Sequence, residues 1–263
     1  MLMTQPLTLT AEEPSGICFY CDGDGLTLDS LYYNIDGDEW QKVQPHQLVE
    51  LSTGQYMQLW NKSNYLSTSS SSLRLMSDEG GSYGSMSLSG NIMSLLNWSY
   101  SCTPYCFKAL FAGSWPGNYL LRSVKNLRMP SMALAEYCYC EMFFGQFDVT
   151  DWDQLQLPAT TPAEGCYEGM FNNCDELTVA PVIHLKTLAK KCLRNIFREC
   201  DFITRVEFHF TEWGNEEDTF EWMTWCGSDG EFYKPRELET IFDDDYSNYS
   251  GCRIPLGWTV IDF

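Results

Sequence analysis

Histidine is scarce in this chain: three in 263 residues, His46, His184 and His209. None stands in an HExxH or another compact ligand pattern, which removes the common zinc-hydrolase motif. A triad with a cysteine needs no closeness in sequence, so spacing alone leaves that arrangement open. No glycine-rich phosphate loop occurs either. These gaps point away from catalysis, and no catalytic residue and no enzyme activity is expected.

Positive charge is also short. Sixteen Lys and Arg face 36 Asp and Glu, a formal net charge of −20. Such a surface repels phosphate backbones and anionic membranes, so nucleic-acid binding is not expected. No apolar run approaches the length of a membrane span, so membrane insertion is not expected. The first residues, MLMTQPLTLTAEEPSG, lack a charged stretch followed by a long apolar one and do not read as a signal peptide. What the chain does have is 44% hydrophobic residues, with 15 Phe, 15 Tyr and 9 Trp. That is the composition of a folded chain of one or two domains.

Twelve cysteines are many for a chain large enough to fold without disulfide staples. Several recur at matching places, which favours burial as small hydrophobes over disulfides or a metal site, the two alternatives. Cys18 and Cys21 have CxxC spacing but lie in a strand-like run with no second CxxC to complete a zinc site. The acidic loops Asp22-Gly23-Asp24-Gly25 and Asp243–Asp245 carry the oxygen donors calcium uses. Neither has EF-hand spacing, so they read as solvated surface, with a calcium site as the lesser alternative, and no other metal or cofactor is expected.

Along the chain, residues 1–90 read as a β-rich mounting domain. LTLT (7–10), ICFY (17–20), LYYNID (31–36), HQLVEL (46–51) and YMQLW (56–60) are short strand-like runs between turn residues. Asp36-Gly37-Asp38 is a hairpin-turn signal. In residues 91–210 one pattern recurs: CFKALF (106–111), CYCEMF (138–143), CYEGMF (166–171) and CLRNIF (192–197). Cysteine-to-cysteine spacings of 32, 28 and 26 residues indicate stacked units. Cys166, Met170 and Cys174, spaced by four, predict one face of a short helix, and Cys192, Ile196 and Cys200 another. The expected core is Cys106, Phe111, Cys138, Met142, Phe143, Cys166, Met170, Phe171, Cys174, Cys192, Ile196, Phe197 and Cys200. Residues 211–263 read as a terminal unit and cap, with TFEWMTWC (219–226) a last strand or helix.

The stretch LPATTPAEGCYEGMFNNCDELTVAP, Leu157 to Pro181, resembles the BspA-like leucine-rich repeats of gut Bacteroidetes and their phages. Lys190 to Cys200 follows the pattern more loosely, with Leu193 and Ile196 in place of Tyr and Met, and Gln146 replaces a second cysteine. The resemblance implies a mixed α/β fold: a small N-terminal β-sandwich-like domain, then a short leucine-rich-repeat solenoid (91–210) with a C-terminal cap (211–263). It also implies a non-catalytic role in surface recognition or adhesion. Because the start of the chain does not read as an export signal, the expectation is a phage virion structural or decoration protein, head-fibre or tail-associated. It would be assembled in the bacterial cytoplasm beside capsid or tail proteins. The alternative is a bacterial cell-surface adhesin for host matrix or glycans. A homo-oligomer is compatible with either. The aromatic residues that fall partly outside the recurring positions, Trp115, Tyr119, Trp152, Trp213, Trp222 and Trp225, are the candidate ligand contacts.

Overall fold

The computed structural model describes residues 5–23, 26–77, 85–113, 120–243 and 251–263. Strand-like alternation in the first part of the chain becomes strands. β1 (Leu7–Ala11), β3 (Leu31–Ile35), β4 (Gln41–Lys42), β6 (Tyr56–Asn61), β8 (Met86–Asn91) and β9 (Leu121–Arg128) form a six-stranded sheet in the order β4-β3-β6-β1-β8-β9. All its pairings are antiparallel except β8–β9. β5 (Leu48–Leu51), β2 (Ser15–Asp22) and β7 (Ser72–Ser77) form an antiparallel three-stranded sheet. Leu7, Leu9, Met57, Leu59 and Leu88 of the first sheet share one buried core with Ile17, Phe19, Leu73 and Leu75 of the second. Each comes from a strand that turns alternate residues inward, as a half-buried strand requires. Asp36 and Gly37 both take positive φ at the β3–β4 turn, where the DG signal places a hairpin. The large sheet continues past residue 90 into β9.

The recurring cysteine-aromatic segments do not form helices. Among the described residues there is no α-helix, and 3-10 helix is confined to Ile92–Leu96, Trp152–Gln154 and Glu216–Asp218. The segments are tandem turns instead. Every fourth residue takes positive φ: Tyr137, Glu141 and Gly145; then Gly165, Gly169 and Asn173; then Lys191, Asn195 and Glu199. A right-handed helix cannot hold such residues, yet a turn spiral of period four puts positions i, i+4 and i+8 on one side just as a helix does. That shared period is why spacing alone predicts the wrong element.

The leucine-rich-repeat solenoid is overturned on these grounds. The strands form three separate sheets, not one curled strand face, and the helical layer is missing from the described residues. The third sheet is small and parallel: β10 (Arg205–Glu207), β11 (Glu231–Lys234) and β12 (Thr259–Asp262), in that order. With the fold goes the BspA-like family resemblance, and with it the Bacteroidetes attribution. The mixed α/β class fails for the same reason.

The turn segments lie side by side. In the first, the N–H groups of Phe107, Ala109 and Phe111 donate across to the carbonyls of Cys138, Cys140 and Met142. The intervening N–H groups of Lys108, Leu110 and Ala112 donate back three residues. Every backbone donor in the stretch is thereby satisfied away from water. Close backbones bring like side chains into register. Phe111, Phe143, Phe171 and Phe197 make a column of stacked rings with centroids 5.7, 5.8 and 5.7 Å apart. Phe107, Tyr139 and Tyr167 make a second, at 5.6 and 5.9 Å. Each aligned ring pair adds about 0.5–1.5 kcal/mol beyond the burial of its area. All thirteen expected core residues are 0% exposed.

Segment ends are closed by a side chain. Cys174 Sγ donates to Phe143 O at 3.2 Å, and Cys200 Sγ donates to Phe171 O at 3.0 Å. Gln146, at the corresponding place, donates from Nε2 to Phe111 O and accepts the Leu121 N–H at its Oε1 (2.9 Å). Its longer side chain thus ties the turns to β9 as well. Residues 219–226 supply a fifth segment: Asn195, Phe197 and Glu199 donate to the carbonyls of Phe220, Trp222 and Thr224.

Candidate functional site

The small parallel sheet presents the most organised polar surface among the described residues. Its register aligns Arg205 with Glu231 and Thr259, and Glu207 with Tyr233 and Ile261. Val206 and Phe232 between them are 0% exposed, so the flanking residues point outward by strand alternation. The run continues beyond β10, because His209 N–H donates to Ile183 O at 3.1 Å. That contact places His184 next to His209.

These outward groups are held by one another. The Arg205 guanidinium lies 4.1 Å from the Tyr233 ring centroid, a cation–π contact. Its Nη2 sits 3.6 Å from Glu207 Oε2, and the other Glu207 oxygen is 3.1 Å from His209 Nε2. His184 meets His209 edge-on at 4.7 Å between ring centroids, and Phe263 packs on His209 at 5.1 Å. Beside them, Lys186, His209, Glu212, Glu237 and Phe263 line an open groove of about 600 Å³. Burial pushes the His184 pKa down, helped by His209 and Lys186 and opposed by Glu207. His184 is therefore a neutral imidazole at pH 7, able to donate and to accept one hydrogen bond. The face offers fixed donors and acceptors interleaved with aromatic rings, the chemistry that recognises a polyhydroxylated ligand. A smaller hollow of about 280 Å³ lies beside β9, between Asn91, Lys125, Arg128, Gln154 and Gln156.

The aromatic candidates from sequence are not gathered there. Trp152 and Trp222 are 1% and 0% exposed. Trp152 meets Phe143 and Phe171 edge-on at 5.3 and 5.2 Å, and Trp222 donates from Nε1 to Arg253 O. Trp213 is half-buried against Trp222 and Phe210, with its Nε1 bonded to Glu239 O. Trp225 is 40% exposed under the Arg198 guanidinium. Trp115 and Tyr119 lie outside the described residues. The sequence reading missed Arg205, Glu207, His209 and Tyr233. The signal was present in VEFHF (206–210), where strict alternation already sends Glu207 and His209 to the outer face.

The remaining candidates have ordinary partners. Asp22 pairs with Arg74 at 2.8 Å, and Asp243 accepts the backbone N–H groups of Cys252 and Arg253. Asp24, Gly25, Asp244 and Asp245 fall outside the described residues. No group of three or more His, Cys, Asp or Glu side chains is placed to hold a metal ion among the described residues. None of the twelve cysteines is bridged to another. No described helix is long and apolar enough to cross a membrane. No protein-family model, curated protein or solved structure matches the chain.

Proposed function

We propose that this chain is a non-catalytic structural or decoration protein on the outside of a bacteriophage particle, head-fibre or tail-associated. It presents the outer face of β10–β12 to a glycan on a cell surface. The observation that carries the adhesive part is the preassembled chain of contacts from Tyr233 through Arg205 and Glu207 to His209 and Phe263. Side chains already fixed in place lose little entropy on binding, which favours a weak, rigid site repeated over many copies. The net charge of −20 argues for neutral sugars over phosphate-rich polymers. The virion part is supported by twelve unbridged cysteines, the arrangement that suits the reducing cytoplasm where a particle assembles. Capsid or tail proteins are then the structural partners.

The test is binding of the purified chain to immobilised envelope glycans, with Tyr233→Ala and His209→Ala as variants. Tyr65→Ala, at an exposed site in another part of the chain, is the control. A stacked Tyr–Arg pair at the centre of a site is worth about tenfold or more in affinity. Wild type and Tyr65→Ala binding equally, with the other two at least tenfold weaker, is the expected result. No glycan retained by the wild type, or equal retention of all four proteins, overturns the proposal. Binding of host-matrix glycans alone would favour the bacterial-surface alternative.

A further inference from the structure

The hollow beside β9 reverses the charge of the surface around it. Its lining includes Lys125 and Arg128 and, among the described residues, no Asp or Glu, although the chain carries 36 acidic residues against 16 basic ones. Arg122, on the same strand, is paired with Glu13 at 3.2 Å. The exposed side chains of Lys125 and Arg128 have no ion pair, hydrogen bond or ring contact among the described residues.

An irregularity in β9 brings the two cations together. Residues three apart on a regular strand point to opposite faces. Here β9 advances three residues, Ser123 to Asn126, while β8 advances two, Ser87 to Ser89. That bulge re-aims Lys125, and both cations line one hollow. Register supplies the amides. Arg128 is paired with Asn91 of β8 on one side and with Gln156 on the other, and all three line the hollow. Asn91 is 6% exposed, and its Oδ1 accepts the Met93 N–H at 2.9 Å, which leaves its Nδ2 donors for another acceptor. Gln154 gives its Nε2 to Asp153 and keeps Oε1 as an acceptor. Met129, Pro130 and Pro158 add an apolar wall.

We propose that this hollow binds a sugar acid, one uronate residue, held by its carboxylate. A planar carboxylate matches the Arg128 guanidinium through two parallel hydrogen bonds, and Lys125 adds a second positive charge. Amides that both donate and accept suit the ring hydroxyls, and the apolar wall suits the C–H face of the ring. At about 280 Å³ the hollow stands at the small end of ligand sites, with room for a single ring. A phosphorylated sugar would bring up to about two negative charges into the field of a chain of net charge −20, which favours the singly charged carboxylate. The hollow shares no lining residue with the groove beside β10–β12, so the proposal stands without that face.

The experiment titrates the purified full chain with D-glucuronate, followed by ligand-observed NMR, with D-glucose, propionate and glucose 6-phosphate as comparisons. Saturable binding of glucuronate at about 1 mM is the expected result, with glucose and propionate each about tenfold weaker or more. Arg128→Gln removes a charge-assisted hydrogen bond and should weaken glucuronate about tenfold. Arg122→Gln, the same loss of charge on the same strand but outside the hollow, should bind as the wild type does. Tyr233→Ala should also leave glucuronate binding unchanged, so the outcome here and the outcome for the β10–β12 face are distinguishable. No saturable binding of glucuronate, or equal binding by Arg128→Gln, overturns the proposal. Glucose 6-phosphate binding more tightly than glucuronate overturns the choice of a carboxylate, and propionate binding as tightly overturns the choice of a sugar. The ranking of ligands is read on the wild-type chain, so it holds whether or not a variant folds.

Discussion

Replacing Gln146 tests how the turn segments are closed. Its side chain is 0% exposed and satisfies two backbone groups, Phe111 O and Leu121 N–H. Gln146→Leu keeps the bulk and orphans both groups. A buried polar group left without a partner costs about 1–3 kcal/mol, so the variant loses about 2–6 kcal/mol. Gln146→Cys places there the thiol that Cys174 and Cys200 use against Phe143 O and Phe171 O. It can still reach Phe111 O but not Leu121, and should lose about 1–3 kcal/mol. Urea unfolding gives both values, provided the slopes match wild type. Hydrogen exchange adds a local readout: the Leu121 amide should lose protection in both variants. A leucine variant as stable as wild type, or a cysteine variant less stable than the leucine one, would refute the closure argument.

Other consequences follow from the turn geometry and the acidic surface. Gly165 has φ +58°, and a Cβ there would overlap the Tyr137 ring. That ring stacks on Tyr105 at 5.2 Å, and its hydroxyl donates to Glu164. Gly165→Ala should therefore cost about 2–4 kcal/mol, against about 1 for Gly54→Ala, where φ is +81° but the space is open; thermal denaturation of the pair checks the difference. Asp175 has its pKa raised by burial and then by Asp201, Glu176 and Glu199. The folded state binds that proton more tightly than the unfolded state, so Asp175 stabilises the fold at low pH. This contribution is lost as pH rises from the unfolded pKa through the folded one. Asp175→Asn should raise the Tm at pH 7, and the gain should vanish below about pH 4. A gain that persists at pH 3 would contradict the charge argument.

Much of the β architecture was legible in the sequence, because strand alternation and turn residues are local signals. Leu7, Leu9, Met57 and Leu59 announce their strands, and Gly37 its turn. Burial of the recurring Cys, Met and Phe positions was also legible, since repetition of apolar residues implies a common core. The element they form was not. A four-residue period is common to a helix and to tandem turns, and the choice rests on positive φ at residues such as Tyr137, Glu141, Lys191 and Glu199, types that carry no such preference. Nor was the fifth segment plain, because residues 219–226 carry Trp222 where the earlier segments carry Met142, Met170 and Ile196. The candidate face was obscured by the tryptophans. Large aromatics draw attention as ligand contacts, but Trp152 and Trp222 serve the interior, while a short charged strand beside them holds the organised surface.

The most direct measurement is the protein composition of density-purified phage particles beside washed envelope fractions, from an infected culture that produces this chain. Quantitative mass spectrometry should find the chain in the particles at a fixed copy number relative to the major capsid protein. Absence from the particles, with enrichment in the envelope fraction, would contradict the virion account and place the chain on the bacterial surface.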